Sequence, residues 1–381
     1  MRNVVWFAAM TMSYMSKIYN NIPSIRIPTV DPKTNEPISL MMPIIGFGTY
    51  KFQKGTGEVS QAIKDACRVG YRSIDTAFIY GGEQTEKEVG EALSDIFSSD
   101  SSISRSDIFL TSKQWRAYHG YEQTMLCLSK SLSRLQTCYL DLYLIHWPGC
   151  AYNTMSRRKD VLNSSPDGPF VYAKEGHEVN SIQALRSETW RAMEDALFEG
   201  KVRAIGVSNF EIQHLEALKK TARVWPPAVN QIELHPYNTK RDLVDYCRKE
   251  GIRVQAYASL GGQDSGKKTW NALGGKLLNR IEVIQIASKY GRSAAQVLLR
   301  WATQQGIVVI PKSTNIDHMK LNLAAVLDES WLNKDGNTLG LDKTDIEILS
   351  DLDQSFTEDG SINEKSRLCW LRDPLKMLDF D

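Results

Sequence analysis

The sequence predicts an α/β chain folded as a closed (β/α)8 TIM barrel, and three observations carry that expectation. Short apolar runs alternate eight times with amphipathic segments of helical period between residues 44 and 326. Such alternation implies parallel strands joined by crossover helices, and eight units favour a closed barrel over an open doubly wound sheet. Polar and ionisable residues gather just past the C-terminal ends of the runs, where barrels of this kind place their chemistry. Finally, 381 residues leave room for one barrel with additions, since such barrels often exceed about 250 residues as a single unit.

Taken in order, residues 1–23 are expected to form a disordered N-terminal extension, and 24–381 a single barrel domain. Arg2 followed by Val4-Val5-Trp6-Phe7-Ala8-Ala9-Met10 faintly resembles a signal peptide. The run is short, however, and lacks a small-x-small cleavage site. Ile25, Ile27, Val30, Ile38 and Leu40 alternate loosely around Asp31-Pro32-Lys33-Thr34-Asn35, which predicts a hairpin. Strands are expected near 44–47, 72–75, 108–112, 140–146, 204–208, 228–231, 253–257 and 307–311. Helices are expected near 57–69, 83–97, 121–135, 184–199, 211–222, 239–250, 281–304 (broken at Gly291) and 315–326. Residues 149–183 have no clear period, so they read as a long insertion after the fourth strand. The tail from about 328 holds a helix near 342–352 and an irregular end around Cys369-Trp370-Leu371, expected to fold back over the barrel mouth and help close the pocket.

Bulk properties exclude several functions. Lys and Arg number 46 against 45 Asp and Glu, a formal net charge of +1, so no attraction to nucleic acid follows. Six cysteines lie at 67, 127, 138, 150, 247 and 369, with no CxxC pair and no histidine at metal-ligand spacing. That pattern points to a reducing, cytoplasmic setting and to no metal site. No stretch approaches about 18 uninterrupted apolar residues, so no membrane span is expected.

The strand ends carry the chemistry. The second strand ends at Asp75 with Tyr80 one short loop later, the third at Lys113, the fourth at His146-Trp147-Pro148 and the fifth at Ser208-Asn209. The sixth ends at Gln231, the seventh at Tyr257 and the eighth at Lys312-Ser313-Thr314. Singly, each has a structural explanation: a strand-end histidine is often structural, a lone charge is usually solvated, and Tyr257 could simply pack. Polar groups from several strands converging on one mouth would instead be costly to desolvate together without a purpose. A lysine ammonium beside a phenol favours the phenolate, and a carboxylate beside that lysine keeps it charged and oriented. Tyr80 could then give a proton to a carbonyl oxygen, with His146 hydrogen-bonded to the same atom. Ser208, Asn209 and Gln231 suit a carboxamide, and Tyr257 suits a flat ring.

These residues stand within motifs: Gly46-Phe47-Gly48-Thr49-Tyr50, Gly70-Tyr71-Arg72-Ser73-Ile74-Asp75-Thr76-Ala77, Asp141-Leu142-Tyr143-Leu144-Ile145-His146-Trp147-Pro148, Gly206-Val207-Ser208-Asn209-Phe210, Asn230-Gln231-Ile232-Glu233-Leu234-His235-Pro236-Tyr237 and Ile310-Pro311-Lys312-Ser313. Together they resemble the aldo-keto reductases, from about Met42 to Asn322. The resemblance implies a monomeric barrel that uses NADP(H) to reduce an aldehyde or ketone to an alcohol by hydride transfer. It implies that Asp75, Tyr80, Lys113 and His146 form a catalytic tetrad with Tyr80 as general acid. It also implies that Ser208, Asn209 and Gln231 hold the nicotinamide carboxamide and that Tyr257 stacks on the ring. Leu260 and Gly261 would line the pyrophosphate, and Lys51, Asp264 and Lys312 would fold over the cofactor. Lys312, Ser313 and Thr314 would meet the adenosine 2'-phosphate. Tyr50, Trp115, His146 and Trp147 would wall the substrate pocket.

The chain departs from the family pattern at the adenosine end. His318 stands where an Arg is usual and Leu321 where a Glu is usual, while Asn322 is retained. Losing an Arg removes a permanent charge and a planar stacking group, so NADP(H) is expected to bind more weakly than is typical. Ala258-Ser259 replaces a common Ser-Pro, and three extra residues lie within Gly81-Gly82-Glu83-Gln84-Thr85-Glu86-Lys87-Glu88. Two rival readings differ in class. Gly261-Gly262-Gln263-Asp264-Ser265-Gly266-Lys267 has the spacing of a phosphate-binding P-loop, but Lys268 stands where a Ser or Thr hydroxyl is needed for magnesium. An NADP(H)-binding sensor or accessory subunit with little turnover is the other, and the full set of Asp75, Tyr80, Lys113 and His146 argues against it.

Overall fold

The computed structural model describes residues 22–53, 55–149, 182–262, 271, 273–327, 331, 340–355, 363 and 366. Residues 1–21 of the expected extension, the body of the insertion, residues 263–267 of the P-loop-like run with Asp264, and most of the end of the tail lie outside these residues. An antiparallel hairpin comes first, β1 (Ser24–Val30) and β2 (Pro37–Pro43), in register Ile27↔Leu40. Its turn is held by the Asp31 carboxylate, which accepts from the backbone of Lys33 at 2.8 Å and Thr34 at 3.0 Å, the local bond that makes aspartate a turn former.

Eight parallel strands follow: β3 (Phe47–Gly48), β4 (Ser73–Asp75), β5 (Phe109–Gln114), β6 (Leu142–Ile145), β7 (Ile205–Ser208), β8 (Val229–Glu233), β9 (Arg253–Tyr257) and β10 (Val308–Val309). Each pairs with its sequence neighbour. A parallel bridge between Ile45 and Val309 closes the ring, with Gly46 N to Val309 O at 2.8 Å and Val309 N to Ile44 O at 3.0 Å. The expected (β/α)8 barrel is therefore present, every strand lying within a few residues of its sequence position.

The helices are α1 (Glu58–Val69), α2 (Gln84–Ser99), α3 (Tyr121–Arg134), α4 (Ile182–Phe198), α5 (Ile212–Lys219), α6 (Arg241–Glu250), α7 (Ile281–Tyr290), α8 (Ala294–Gln304), α9 (Ile316–Leu327) and α10 (Lys343–Ser350). Val59, Ala62, Ile63, Ala66 and Val69 of α1 are buried at three- and four-residue spacing, the stripe that binds a helix to a sheet. Gly291 adopts φ 63° and separates α7 from α8, as its position in the apolar pattern predicts. α8 restarts with a reciprocal cap between Ser293 and Gln296.

The two ends of the barrel differ in kind. At the N-terminal end Ile27 and Met42 of the hairpin pack against Phe109, Leu142, Ala204, Ala228 and Val308, an apolar plug. Asp141, just before β6, is buried there with Arg105 at 2.9 Å and Arg203 at 2.7 Å, so this motif carboxylate serves the scaffold. At the C-terminal end, Gln354 N donates to Tyr237 O at 3.1 Å, and Thr239 hydrogen-bonds Asp353. The tail thus reaches the rim past β8, in the direction expected of it. No helix among the described residues is long and apolar enough to cross a membrane.

Two contacts make the scaffold testable. A Cβ on Gly90 of α2 would lie 2.4 Å from Arg134 O and 2.7 Å from Leu135 C, both backbone atoms that cannot swing away. Gly90→Ala is expected to lower stability by roughly 1–3 kcal/mol, read as a fall in Tm. His119 is buried, its Nε2 3.0 Å from Trp147 O and its Nδ1 3.0 Å from Thr189 Oγ1. Burial pushes its pKa down to about 3. Between about 6.5 and 3 the unfolded chain therefore binds a proton that the fold refuses. Stability present above the upper value is lost as pH falls, and urea unfolding at pH 7 and pH 4.5 should show a shallower loss for His119→Gln than for the unaltered protein.

Candidate active site

Four of the strand-end residues meet in one buried cluster. Lys113, at the end of β5, has no exposed surface. Its Nζ donates to Asp75 Oδ1 at 2.6 Å and to Thr76 O at 2.8 Å. The Tyr80 hydroxyl lies 3.3 Å from the same nitrogen, which also sits 4.8 Å from the Tyr80 ring centroid. Burial lowers the pKa of the Lys113 ammonium, and the Asp75 charge opposes that shift. A buried ion costs several kcal/mol unless it is paired and hydrogen-bonded, and here it is both.

His146 stands edge-on to Tyr80, ring centroids 5.6 Å apart at 74°. Burial first, and the Lys113 charge second, hold its pKa well below the usual imidazole value, so it is a neutral ring with one N–H to give. Its Nδ1 is buried and has no hydrogen-bond partner. Tyr50 packs on Tyr80 at 4.9 Å and Trp115 on His146 at 5.5 Å, forming aromatic walls. Trp147, expected as a third wall, follows His146 and is 1% exposed.

Ser208, Asn209, Gln231 and Tyr257 form a shelf beside this cluster. Asn209 adopts φ 61°, which turns its amide toward the neighbouring strands. Its Nδ2 donates to His146 O at 3.0 Å and Ser208 Oγ at 3.1 Å, and its Oδ1 accepts from Tyr257 OH at 2.8 Å. Ser208 Oγ donates to Gln231 O at 2.8 Å. Gln231 turns its NH2 to Asp75 Oδ2 at 2.7 Å and to Gln255 Oε1 at 2.6 Å. An ionised carboxylate only accepts, so that orientation of the amide is required. The donors of the shelf are thus engaged internally, and the oxygens of Asn209 and Gln231 are what it offers to an amide N–H.

Cations lie farther out. Lys312 Nζ donates to Lys51 O at 3.0 Å and sits 4.9 Å over the Phe52 ring, while Lys51 adopts φ 60°. Ser313 Oγ bonds the backbone of Asn315, and Thr314 and His318 are exposed beside it. Asn315 Oδ1 caps α9 through Asp317 N at 2.8 Å and His318 N at 3.1 Å. Leu260 is half-buried and Gly261 is left-handed at φ 79° after Ala258 at φ 56°. Asn322 is buried, and the Tyr71 phenol donates to Met319 O on the same helix at 3.3 Å. Amide acceptors on the shelf, a half-buried tyrosine beside them, and lysines with hydroxyls at one end form a donor set that fits a nicotinamide dinucleotide phosphate.

Gln255, Glu86 and Arg134 join this assembly without having been singled out in the sequence. Gln255 had a visible signal, a polar residue on the same face of β9 as Tyr257 and in register with Gln231. Glu86 and Arg134 had none, because a buried carboxylate and its helix-end arginine look like ordinary surface charges in a linear pattern.

Comparison with known proteins follows the same lines. The model of the Aldo/keto reductase family matches residues 44–334. A glyoxal reductase of Bacillus subtilis is 39% identical over 287 residues, 75% of this chain and 84% of that protein. The human aldo-keto reductase family 1 member A1 is 38% identical over 283 residues, 74% of this chain and 80% of that one. The crystal structure of a Bombyx mori aldo-keto reductase in complex with NADP superposes with a TM-score of 0.66 at 28% identity, covering 88% of this chain and 94% of that chain. An aldo/keto reductase from Brucella melitensis superposes with a TM-score of 0.63 at 32% identity, covering 87% and 100%. A match across most of the barrel, on a chain whose strand ends assemble as described, places this protein in the aldo/keto reductase family.

Proposed function

We propose that this protein reduces an aldehyde or ketone to an alcohol with NADPH, and that Tyr80 is the general acid. The observation that carries the reading is the buried Lys113 ammonium, held by Asp75 at 2.6 Å and placed 3.3 Å from the Tyr80 hydroxyl. A phenol is a weak acid, with a reference pKa of about 10. A fixed cation beside its oxygen stabilises the negative charge left behind as the proton departs.

When bound, the nicotinamide supplies a hydride to the carbonyl carbon. As that carbon gains its new C–H bond, the C=O π electrons move to oxygen, and Tyr80 gives that oxygen its proton. His146, neutral by burial, donates a hydrogen bond to the same oxygen and helps to orient it. Asp75 keeps Lys113 charged and in place. Gln231 holds the second Asp75 oxygen, so the shelf and the acid are parts of one hydrogen-bonded unit.

Tyr257 would stack on the nicotinamide, with Asn209 and Gln231 accepting from its amide. Lys51 and Lys312 would close over the pyrophosphate, and Lys312, Ser313 and Thr314 would meet the 2'-phosphate. Tyr50 and Trp115 give the pocket aromatic walls, which suit many carbonyl compounds. The similar protein named a glyoxal reductase makes small dicarbonyls a natural first panel, beside aromatic aldehydes. The reading extends to a monomer in the cytoplasm; among the described residues Cys67, Cys127, Cys138 and Cys247 are free thiols, in keeping with a reducing setting.

Turnover of such a panel, followed by NADPH absorbance, tests the reading, and cofactor binding without turnover would favour a sensor instead. Tyr80→Phe is expected to lower kcat by about 10²- to 10⁴-fold, the usual contribution of a general acid. NADPH affinity should be unchanged because the ring remains, and near-original turnover would overturn the assignment. His318→Arg should tighten NADPH several-fold, by adding a charge-assisted phosphate partner, and leave NADH affinity unaltered. Unchanged NADPH affinity would place the 2'-phosphate elsewhere.

A further inference from the structure

Two consecutive glycines follow the proposed acid. Gly81 and Gly82 are both left-handed, at φ 61° and 69°, a conformation that glycine adopts without steric cost. They give the chain a swivel directly after Tyr80. Its backbone ties are few: Tyr80 N to Ala77 O at 3.0 Å and Gly82 N to Ile79 O at 3.1 Å lie within the loop, and one long bond, Phe78 N to Lys113 O at 3.4 Å, crosses to β5. A proton donor that strays by an ångström loses rate steeply, so the loop needs a brace that does not depend on its own backbone.

Arg134 provides it from outside the barrel, at the end of α3. Its guanidinium lies 4.3 Å over the Phe78 ring, two residues before Tyr80. Nη2 reaches Glu83 Oε1 at 2.6 Å, the first residue after the glycine pair, and Nη1 lies 3.5 Å from Glu86 Oε2 in the first turn of α2. One planar group therefore grips the loop on both sides of the swivel. The other Glu86 oxygen accepts from Ser112 Oγ at 2.6 Å, and Ser112 is the neighbour of Lys113 on β5. The brace thus ends on the strand that carries the cation.

A purely structural role would need only the pair with Glu86, whose side chain has no exposed surface and requires a counter-charge. It would not account for the stack on Phe78, nor for the arm to Glu83, whose side chain is 83% exposed and needs no compensation. Those two contacts share one property, which is that they flank Gly81-Gly82.

We infer that Arg134 is a positioning residue for Tyr80: by clamping Phe78 and Glu83 across the glycine pair, and by tying Glu86 and Ser112 to the Lys113 strand, it sets the separation between the Tyr80 hydroxyl and Lys113. The inference rests on the acid role proposed for Tyr80. It also gives the segment with three extra residues, 81–88, a definite task, because both acidic anchors of the clamp lie in it.

Two variants test the clamp. Arg134→Lys keeps a cation for Glu86 while losing the planar fork and the stacking face, and Glu83→Gln takes the charge from one arm at an exposed site. With unchanged circular dichroism, Arg134→Lys should lower kcat about ten-fold, and Glu83→Gln by less, with NADPH affinity held within about two-fold. A second readout needs no turnover. Tyrosinate absorbance, titrated for each protein against its Tyr80→Phe counterpart, should show Tyr80 ionising at higher pH in Arg134→Lys, because its phenolate has lost contact with Lys113. A folded Arg134→Lys protein with unchanged kcat and unchanged titration overturns the inference. So does a loss of kcat matched by an equal loss of NADPH affinity, which would mark Arg134 as scaffold alone. A titration shift in a protein that reduces no carbonyl would instead sink the reaction and leave the clamp standing.

Discussion

The buried pair of Lys113 and Asp75 is the constraint on which the upper half of this barrel depends. Both groups lie inside, where each charge alone would be costly to hold. The pair survives because every side of it is answered. Lys113 donates to Asp75, to the Thr76 carbonyl and toward Tyr80, and Asp75 spends its second oxygen on Gln231. Gln231 is held in turn by Gln255, its register neighbour on β9. The charge at the reacting end is thereby tied through two amides to strands on the far side of the ring. A network of this kind is stable when fully satisfied and costly when any member is lost.

The opposite end of the barrel is built to carry no such burden. The hairpin plugs it with Ile27 and Met42, which pack on Phe109, Leu142, Val229 and Val308 at the starts of β5, β6, β8 and β10. Its buried carboxylate, Asp141, is neutralised by Arg105 and Arg203 and by the backbone N–H of Leu110. One end is thus closed by hydrophobic contact and saturated ion pairs. The other gathers Asp75, Tyr80, Lys113, the amides of Asn209 and Gln231, and His146 with a buried, unpartnered Nδ1. That asymmetry, more than any single residue, marks the C-terminal face as the working one.

Much of this was legible in the sequence. Strand and helix placement followed from apolar periodicity, because parallel strands buried on both faces and helices buried on one leave different spacings in the chain. Asp75, Tyr80, Lys113 and His146 could be named because each falls at or just past the end of an apolar run. The shelf was legible as a set of residues but not as a network. Nothing in the linear pattern shows that Asn209 spends its donors on His146 and Ser208. Such facts depend on which side chains reach first across strands more than 50 residues apart in sequence, such as Asn209 and His146.

By itself the sequence determined the barrel, the order of its elements and the identities of the groups that meet at its mouth, since these follow from local periodicity and position on a strand. Only the tertiary structure decided which of those groups are already committed to one another. It alone showed that Gln255 supports Gln231 and that Arg134 on the outer layer reaches Phe78, Glu83 and Glu86. A hydrogen bond or ion pair is made by proximity in space, and a closed barrel brings Asp75 and Gln231 together across 156 residues of chain. Periodicity records which face a residue takes; the closure of the ring selects its partner.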